Sequence, residues 1–222
     1  VSFDLIYARQ HQTLEAWREE LKEALEIAAD HLSLYQLTIE PGTAFGDRYA
    51  VGKLRGLPDD DLGADMFELT QEMTAAAGFH AYEVSNHARS GSVSRHNLVY
   101  WRYGDYLGIG PGAHGRVTLN GRKMATVANA APSVWLDEVG GGRAELRDEL
   151  SGAEQASEYL MMGLRIDEGL SLSRYKALAG EDLDPHVIKD LAASGLLVAL
   201  PDRIQATTRG RMVLNAVIRE LM

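Results

Sequence analysis

The sequence predicts an α/β protein whose chain closes with a small, mostly helical domain carrying a two-stranded wing. Three observations carry this expectation. Strand, helix and strand patterns follow one another between Val1 and Ile39, the order that makes a parallel sheet covered by helices. A second helix and a third strand pattern continue that order to Val84. After Gly140-Gly141-Gly142 the texture changes to short helices with their own start and stop signals, plus one hairpin.

Taken in order, Val1-Ser2-Phe3-Asp4-Leu5-Ile6-Tyr7 is a short apolar run rich in β-favouring residues and reads as a buried strand. Leu14, Trp17, Leu21, Leu25 and Ala28 then fall at helical spacing, with Thr13 as N-cap and Glu15 in the first turn. His31 to Ile39 is the second strand, stopped by Pro41-Gly42. A glycine-rich loop leads to a helix over Asp60–Ala77, striped by Leu62, Met66, Leu69 and Met73 and closed by Gly78. Phe79 to Val84 reads as a third strand. Residues 85–105 have no clean period and are expected to be loop with short helical turns. Tyr106 to Ile109 reads as a short strand, and Arg116 to Val127 as a hairpin around Asn120-Gly121. A helix near Ser133–Val139 runs into the triple glycine, the best linker candidate, which suggests domains at 1–142 and 151–222.

In the second domain Ser151-Gly152-Ala153-Glu154 is a capping box for a helix to Leu164. Helices over Leu172–Ala179 and from Asp184-Pro185 to Gly195 follow. Leu196–Leu200 and Arg203–Ala206 form a hairpin at Pro201-Asp202, and a last helix starts near Arg209. This is a winged-helix pattern, but residues 151–222 carry ten acids against eight bases. A reader of DNA needs a basic face, so a structural cap is the better expectation.

Composition narrows the function classes. A net charge of −10 and a pI near 5.2 argue against a general nucleic-acid binder. No apolar run approaches the roughly 20 residues of a membrane span, and no signal peptide opens the chain. The chain has no cysteine, so it makes no disulfide and no thiolate metal site, as a cytoplasmic protein often does not. Its first residue, Val1, stands inside a strand pattern, as expected of a piece of a longer protein.

Gly108-Ile109-Gly110-Pro111-Gly112-Ala113 matches G-x-G-x-x-G/A, yet strand and turn residues follow where a phosphate site needs a helix N-terminus. What survives is a backbone that a flat or bulky ligand could approach closely, or a plain tight turn. Of seven histidines, His87, His96 and His114 stand beside glycine- and asparagine-rich loops at predicted strand ends; His11, His31, His80 and His186 do not. An imidazole there could ligate haem iron, donate a proton or accept a hydrogen bond. Asp4 is the other outlier. A buried carboxylate must be paired or face a polar cavity, which leaves a salt bridge with Arg9 or a ligand hydroxyl as partner. Arg95 beside His96 could fix a carboxylate or be a plain surface charge.

Together these segments resemble the oxygen-independent coproporphyrinogen III oxidase family of radical S-adenosylmethionine proteins. The carriers are Asp4-Leu5-Ile6-Tyr7 with Gln12-Thr13-Leu14-Glu15, His31 to Gly42, Glu83-Val84-Ser85-Asn86, Ser94-Arg95-His96-Asn97, Tyr100-Trp101 and Tyr106 to His114. The form His96-Asn97-x-x-Tyr100-Trp101 is similar to the haem-chaperone (HemW-like) branch. The resemblance implies the later part of a partial, six-unit TIM-type barrel, entered at about its fifth strand, then a winged-helix-like domain. It implies S-adenosylmethionine, a [4Fe–4S] cluster and haem in the intact protein, with the cluster cysteines outside this chain. By the same resemblance Asp4, Ile6, Thr38, Gly110, Gly112, Ala113 and His114 would lie on the S-adenosylmethionine side. His96, Asn97, Tyr100 and Trp101 would face haem or a porphyrin, with His96 as an iron ligand; no catalytic residue is assigned. The implied functions are haem trafficking, porphyrinogen decarboxylation, or a binding module without its cluster domain. The implied partners are haem and the protein's own first half or a second copy, at an exposed edge of the first strand. One departure stands out: Ala8-Arg9-Gln10-His11 replaces the family's G-L-P-G.

Overall fold

A computed structural model describes residues 2–143 and 145–222; Val1 of the expected first strand lies outside the described residues. The chain divides into two compact units, Val1–Val93 and Ser94–Met222.

In the first unit β1 (Ser2–Tyr7), α1 (Leu14–Ile27) and β2 (His31–Gln36) form the expected βαβ arrangement. β1 and β2 run parallel with Ser2 opposite His31 and Tyr7 opposite Gln36. The Thr13 hydroxyl accepts the Ala16 N–H at 3.1 Å, which fixes the start of α1. There follow α2 (Ala44–Ala50), α3 (Asp60–Ala76), β3 (His80–Ala81) and β4 (Asn86–Ala88), giving the strand order β1-β2-β4-β3. The strand period of two sends Phe3, Leu5 and Tyr7 to one face, where they meet Trp17, Leu21, Leu32, Leu34, Met66 and Phe79. Trp17 is the centre of this core: its ring stacks on Tyr7 at 5.0 Å. Its indole N–H donates to the Thr70 hydroxyl at 2.9 Å.

Several expectations are corrected here. β2 stops at Gln36 rather than Ile39, and the glycine-rich loop contains α2, capped by the Thr43 hydroxyl on the Gly46 N–H. The single strand expected over Phe79–Val84 is instead a tight β3–β4 hairpin, with Tyr82 N–H donating to Asn86 O at 3.2 Å. Glu83 sits buried in this turn, 1% exposed. Arg9 does not pair with Asp4. It clamps Glu20 at 2.6 Å and donates to the Ile6 carbonyl. Ala8 and His11, at two glycine positions of G-L-P-G, keep positive φ values of 57° and 59°.

The second unit begins with α4 (Arg95–Trp101), capped by Ser94. Strands β5 (His114–Leu119) and β6 (Arg122–Val127) turn at Asn120-Gly121, both at positive φ as a two-residue hairpin demands. α5 (Pro132–Gly140) ends in the glycine run. β7 (Leu146–Glu149) then returns to pair with β6, so this sheet continues across the linker candidate. Next come α6 (Gly152–Gly163), β8 (Leu170–Ser171), α7 (Leu172–Ala179), α8 (Pro185–Ala193), β9 (Leu197–Leu200), β10 (Arg203–Ala206), α9 (Thr208–Met212) and α10 (Leu214–Leu221). The Ser151–Glu154 capping box, the Asp184 cap with Pro185, and Gly180 at φ 82° sit as the sequence predicts. β8-β10-β9 is a second sheet, over a core that includes Leu160, Leu164, Leu170, Ile204 and Val217.

Three expectations change in this unit. The strand at Tyr106–Ile109 reduces to one bridge, Tyr106 to Arg116. The hairpin begins earlier, at His114. The last helix breaks at Val213, whose φ of −118° is not helical.

Candidate functional site

The residues singled out from the sequence occupy two places, one in each unit. In the first, the alternation that buries Phe3, Leu5 and Tyr7 turns Ser2, Asp4 and Ile6 outward, so Asp4 is exposed rather than buried. The parallel register sets His31, Ser33 and Tyr35 beside them on the same face. A polar ladder results. Ser2 Oγ meets His31 Nδ1 at 2.9 Å, His31 Nε2 meets Tyr82 Oη at 2.9 Å, and Ser33 Oγ donates to Asn86 Oδ1 at 2.8 Å. Partial burial lowers the His31 pKa, against the opposing pull of Asp30 and Asp4. The ring is therefore mainly neutral at pH 7, with one nitrogen donating and the other accepting. Ile6, 46% exposed, adds an apolar platform next to Asp4. Thr38 lies two residues past β2, its hydroxyl on the Gln36 carbonyl. This face can accept ligand hydroxyls at Asp4 and hold an apolar ring on Ile6.

His31 was not among the residues singled out from the sequence. Its signal is visible afterwards: His31, Ser33 and Tyr35 alternate in step with Ser2, Asp4 and Ile6. His87, which was singled out, lies buried in β4 beside Gln71 at 3.3 Å and does not face the open side as a ligand would. Glu83, 1% exposed, has its pKa raised by burial, and its Oε1 is buried without a hydrogen-bond partner among the described residues.

The second place is built on α4. His96 and Tyr100, four residues apart, share one side of the helix, with Tyr100 Oη 2.9 Å from His96 Nε2. Leu98 points inward and is buried. Tyr100 also meets Tyr106 edge-on at 4.4 Å between ring centres. Tyr106 is fixed in turn, because its N–H and C=O bond the Arg116 backbone at 2.7 and 2.9 Å. Asn97 N–H bonds the Ser94 cap, and Trp101 is half-buried at the end of α4.

The Tyr106–Arg116 bridge closes a loop that holds Gly110, Gly112, Ala113 and His114. Gly112 N–H donates to Asn129 O, and Ala128 N–H to Ala113 O, both at 2.9 Å. The loop is thus tied at its base while Leu107 and Ile109, 72% and 84% exposed, stand out from it. β5, not a helix, follows His114, which removes the phosphate-cradle geometry. Gly115 explains the tight base: a Cβ there would lie 2.5 Å from Thr126 Oγ1 and 2.9 Å from Gly108 N. Gly115→Ala is expected to cost roughly 1–3 kcal/mol by overpacking and to loosen this loop. Thermal melting and hydrogen exchange at Gly112 and Ala113 check this; unchanged protection there would show that the base tolerates a methyl.

A charged cluster supports the base. Arg116 bonds Glu158 of α6 in a two-point fork, with Nη2–Oε1 2.7 Å and Nε–Oε2 2.9 Å. Tyr103 Oη donates to the same carboxylate at 2.8 Å. Lys123 reaches Asp105 at 2.6 Å, and Arg102 forks onto Glu168.

The HemN C-terminal domain model matches residues 150–213. The chain is 36% identical over 220 residues to "Heme chaperone HemW" of Escherichia coli (strain K12), covering 98% of this chain and 56% of that protein. It is 34% identical over 235 residues to the mitochondrial "Radical S-adenosyl methionine domain-containing protein 1" of Danio rerio, covering 100% and 52%. It is 34% identical over 220 residues to "Heme chaperone HemW" of Bacillus subtilis (strain 168), covering 98% and 57%. The chain therefore spans about half the length of the curated relatives it matches. Its fold is similar to that of coproporphyrinogen III oxidase (HemN) from Escherichia coli, a radical SAM enzyme, with a TM-score of 0.74 at 21% identity over 99% of this chain and 54% of that one.

Proposed function

Because this chain belongs to the HemW-like radical S-adenosylmethionine family, we propose that it handles haem, with the α4 side of the second unit as the place of contact. The observation that carries this reading is the His96–Tyr100–Tyr106 cluster. It presents an imidazole on an exposed helix side whose aromatic neighbours are fixed by backbone bonds. His96 Nε2 is the candidate iron ligand, Tyr100 and Trp101 are candidate stacking surfaces, and Asn97 neighbours them. Arg95, exposed in the first turn of α4, is placed to meet a propionate.

The resident cofactors of such proteins divide by fit. Thiolates hold iron–sulfur clusters, and this chain has no cysteine. Among the described residues no group of three or more histidines, cysteines or carboxylates could hold a metal ion. The residues here do not fit a cluster, and no step is routed through one. S-Adenosylmethionine fits better: Asp4 would accept its ribose hydroxyls and Ile6 would flank the adenosyl group on the open face of β1, with Thr38 nearby. Bound there, S-adenosylmethionine would supply the adenosyl group for the family's radical chemistry, and Asp4, Ile6 and Thr38 would orient it. The resemblance also gives Gly110, Gly112, Ala113 and His114 to the S-adenosylmethionine side; they lie in the loop tied by the Tyr106–Arg116 bridge of the second unit.

We hold the finer architecture on the same footing. The sheet that buries one face against α1 and α3 and leaves a polar face open suits part of a barrel wall. Helices around β8-β10-β9 suit a winged-helix-like domain over 151–222, a division from 1–142 in keeping with the HemN C-terminal match. Among the described residues β1 pairs only with β2, so its outer edge is where a strand of the longer protein or of a second copy would add. No helix among the described residues is long and apolar enough to cross a membrane. A cytoplasmic setting and no nucleic-acid partner complete the proposal. Porphyrinogen decarboxylation is the weaker reading, because the Tyr100-Trp101 pair of the form His96-Asn97-x-x-Tyr100-Trp101 is similar to the haem-chaperone branch.

Titration of the 222-residue chain with haem, followed at the Soret band, tests the reading. A saturable shift is expected, with affinity lowered at least about tenfold in His96→Ala, a loss of roughly 1.4 kcal/mol or more. Equal binding by His96→Ala would remove His96 as the ligand.

A further inference from the structure

The Tyr100 hydroxyl lies 2.9 Å from His96 Nε2, with the two rings edge to face at 4.9 Å and 80°. A ring nitrogen of neutral imidazole either carries a proton or presents one lone pair. If Tyr100 donates to Nε2, the lone pair is taken. If Nε2 carries the proton and donates to Tyr100, there is no lone pair at that nitrogen. In both tautomers an iron ion approaching Nε2 must first break this hydrogen bond. Tyr100 is not a loose side chain that would simply drift off. Its ring rests edge-on against Tyr106 at 4.4 Å, and Tyr106 is bonded through its backbone on both sides to Arg116.

We propose that Tyr100 is a latch on His96: a positioning residue that keeps Nε2 occupied until a metalloporphyrin supplies a ligand bond strong enough to displace the phenol. The proposal rests on the haem reading of this site and adds a selection to it. A porphyrin that carries iron can open the latch, whereas the same macrocycle without metal gains nothing at Nε2. A net hydrogen bond of about 0.5–1.5 kcal/mol corresponds to a factor of about 2 to 12 in affinity. The latch therefore tunes haem retention without abolishing it, which suits a protein that must also release its cargo.

Two arms test this on the 222-residue chain. The first needs no haem. Nitrogen-15 NMR of the His96 ring is compared in wild type and Tyr100→Phe, a change that keeps the ring contact with Tyr106. A changed tautomer ratio or ring-nitrogen shift is expected, and identical spectra would overturn the latch. In the second arm, Tyr100→Phe is expected to bind haem about 2- to 12-fold more tightly, a gain larger than any change in its affinity for metal-free protoporphyrin. Equal or weaker haem binding would overturn the proposal. So would a parallel gain for both macrocycles, which would mark a general change of surface. Haem binding that survives in His96→Ala would instead sink the iron-ligand reading, and the NMR arm tells the two failures apart.

Discussion

Trp17→Ala is expected to destabilise the first unit by about 4 kcal/mol, within the range for a buried tryptophan lost to a cavity. The ring is fully buried, stacked on Tyr7 and walled by α1 and α3. Its removal leaves a void bounded by both helices and the sheet, and such a site collapses poorly. Thr70 is not orphaned, because its hydroxyl also donates to the Met66 carbonyl at 2.6 Å; the loss is mainly packing. Urea unfolding followed by far-ultraviolet circular dichroism measures it. Trp17→Phe, which keeps most of the volume, should lose clearly less. A loss under about 1 kcal/mol for alanine would mean that the core around Trp17 is far looser than described.

Glu158→Ala should cost the second unit about 3 kcal/mol, the lower end for a charge pair broken from one side. The Arg116 and Glu158 side chains are 20% and 19% exposed, so the guanidinium left behind is poorly hydrated. Tyr103 also loses its acceptor. The pH dependence has a definite sign. Burial pushes the Glu158 pKa up, but hydrogen bonds from Arg116 and Tyr103 and the charges of Arg116 and Lys123 outweigh it, and the net shift is downward. A depressed carboxylate stabilises the fold above its unfolded pKa, about 4.3, and loses that contribution as pH falls through the folded value. The gap between wild type and Glu158→Ala should therefore be full at pH 7 and close progressively in acid. A gap that stays constant down to pH 3 would mean that Glu158 acts by packing alone.

How far the chain could be read in advance depends on where its signals are local. Caps at Thr13, Ser151 and Asp184 and the Asn120-Gly121 turn act within a few residues, and each sits where the sequence predicts. The β3–β4 hairpin was not legible, since the Phe79–Val84 run suits an extended strand. What closes it is pairing between its own two arms, with Tyr82 N–H on Asn86 O, a tertiary choice that no periodicity encodes. α2 is only seven residues long and apolar on no steady face, though Thr43 was a readable cap. The β5–β6 hairpin gained β7 because pairing with β6 across the glycine run is a tertiary event. At the candidate sites, residue types pointed to α4 and to Asp4. The role of His31 needed the register with β1, and the engagement of His96 by Tyr100 needed a structure, because i,i+4 spacing permits that bond without requiring it.

The turn at Ala8–His11 bears on the unfolded chain as well. Holding a non-glycine residue in a left-handed conformation costs roughly 1–2 kcal/mol, but alanine and histidine also have fewer unfolded conformations to give up than glycine, worth about 0.4–1 kcal/mol each. Much of the strain is thereby offset before any contact is counted. The Gln10 side chain on the Arg55 carbonyl and the His11 N–H on the Gly56 carbonyl, both at 2.6 Å, act against what remains. A turn of glycine shape has thus become a side-chain-bearing one at small net free energy, and its form is kept by what it touches instead of by freedom from a Cβ.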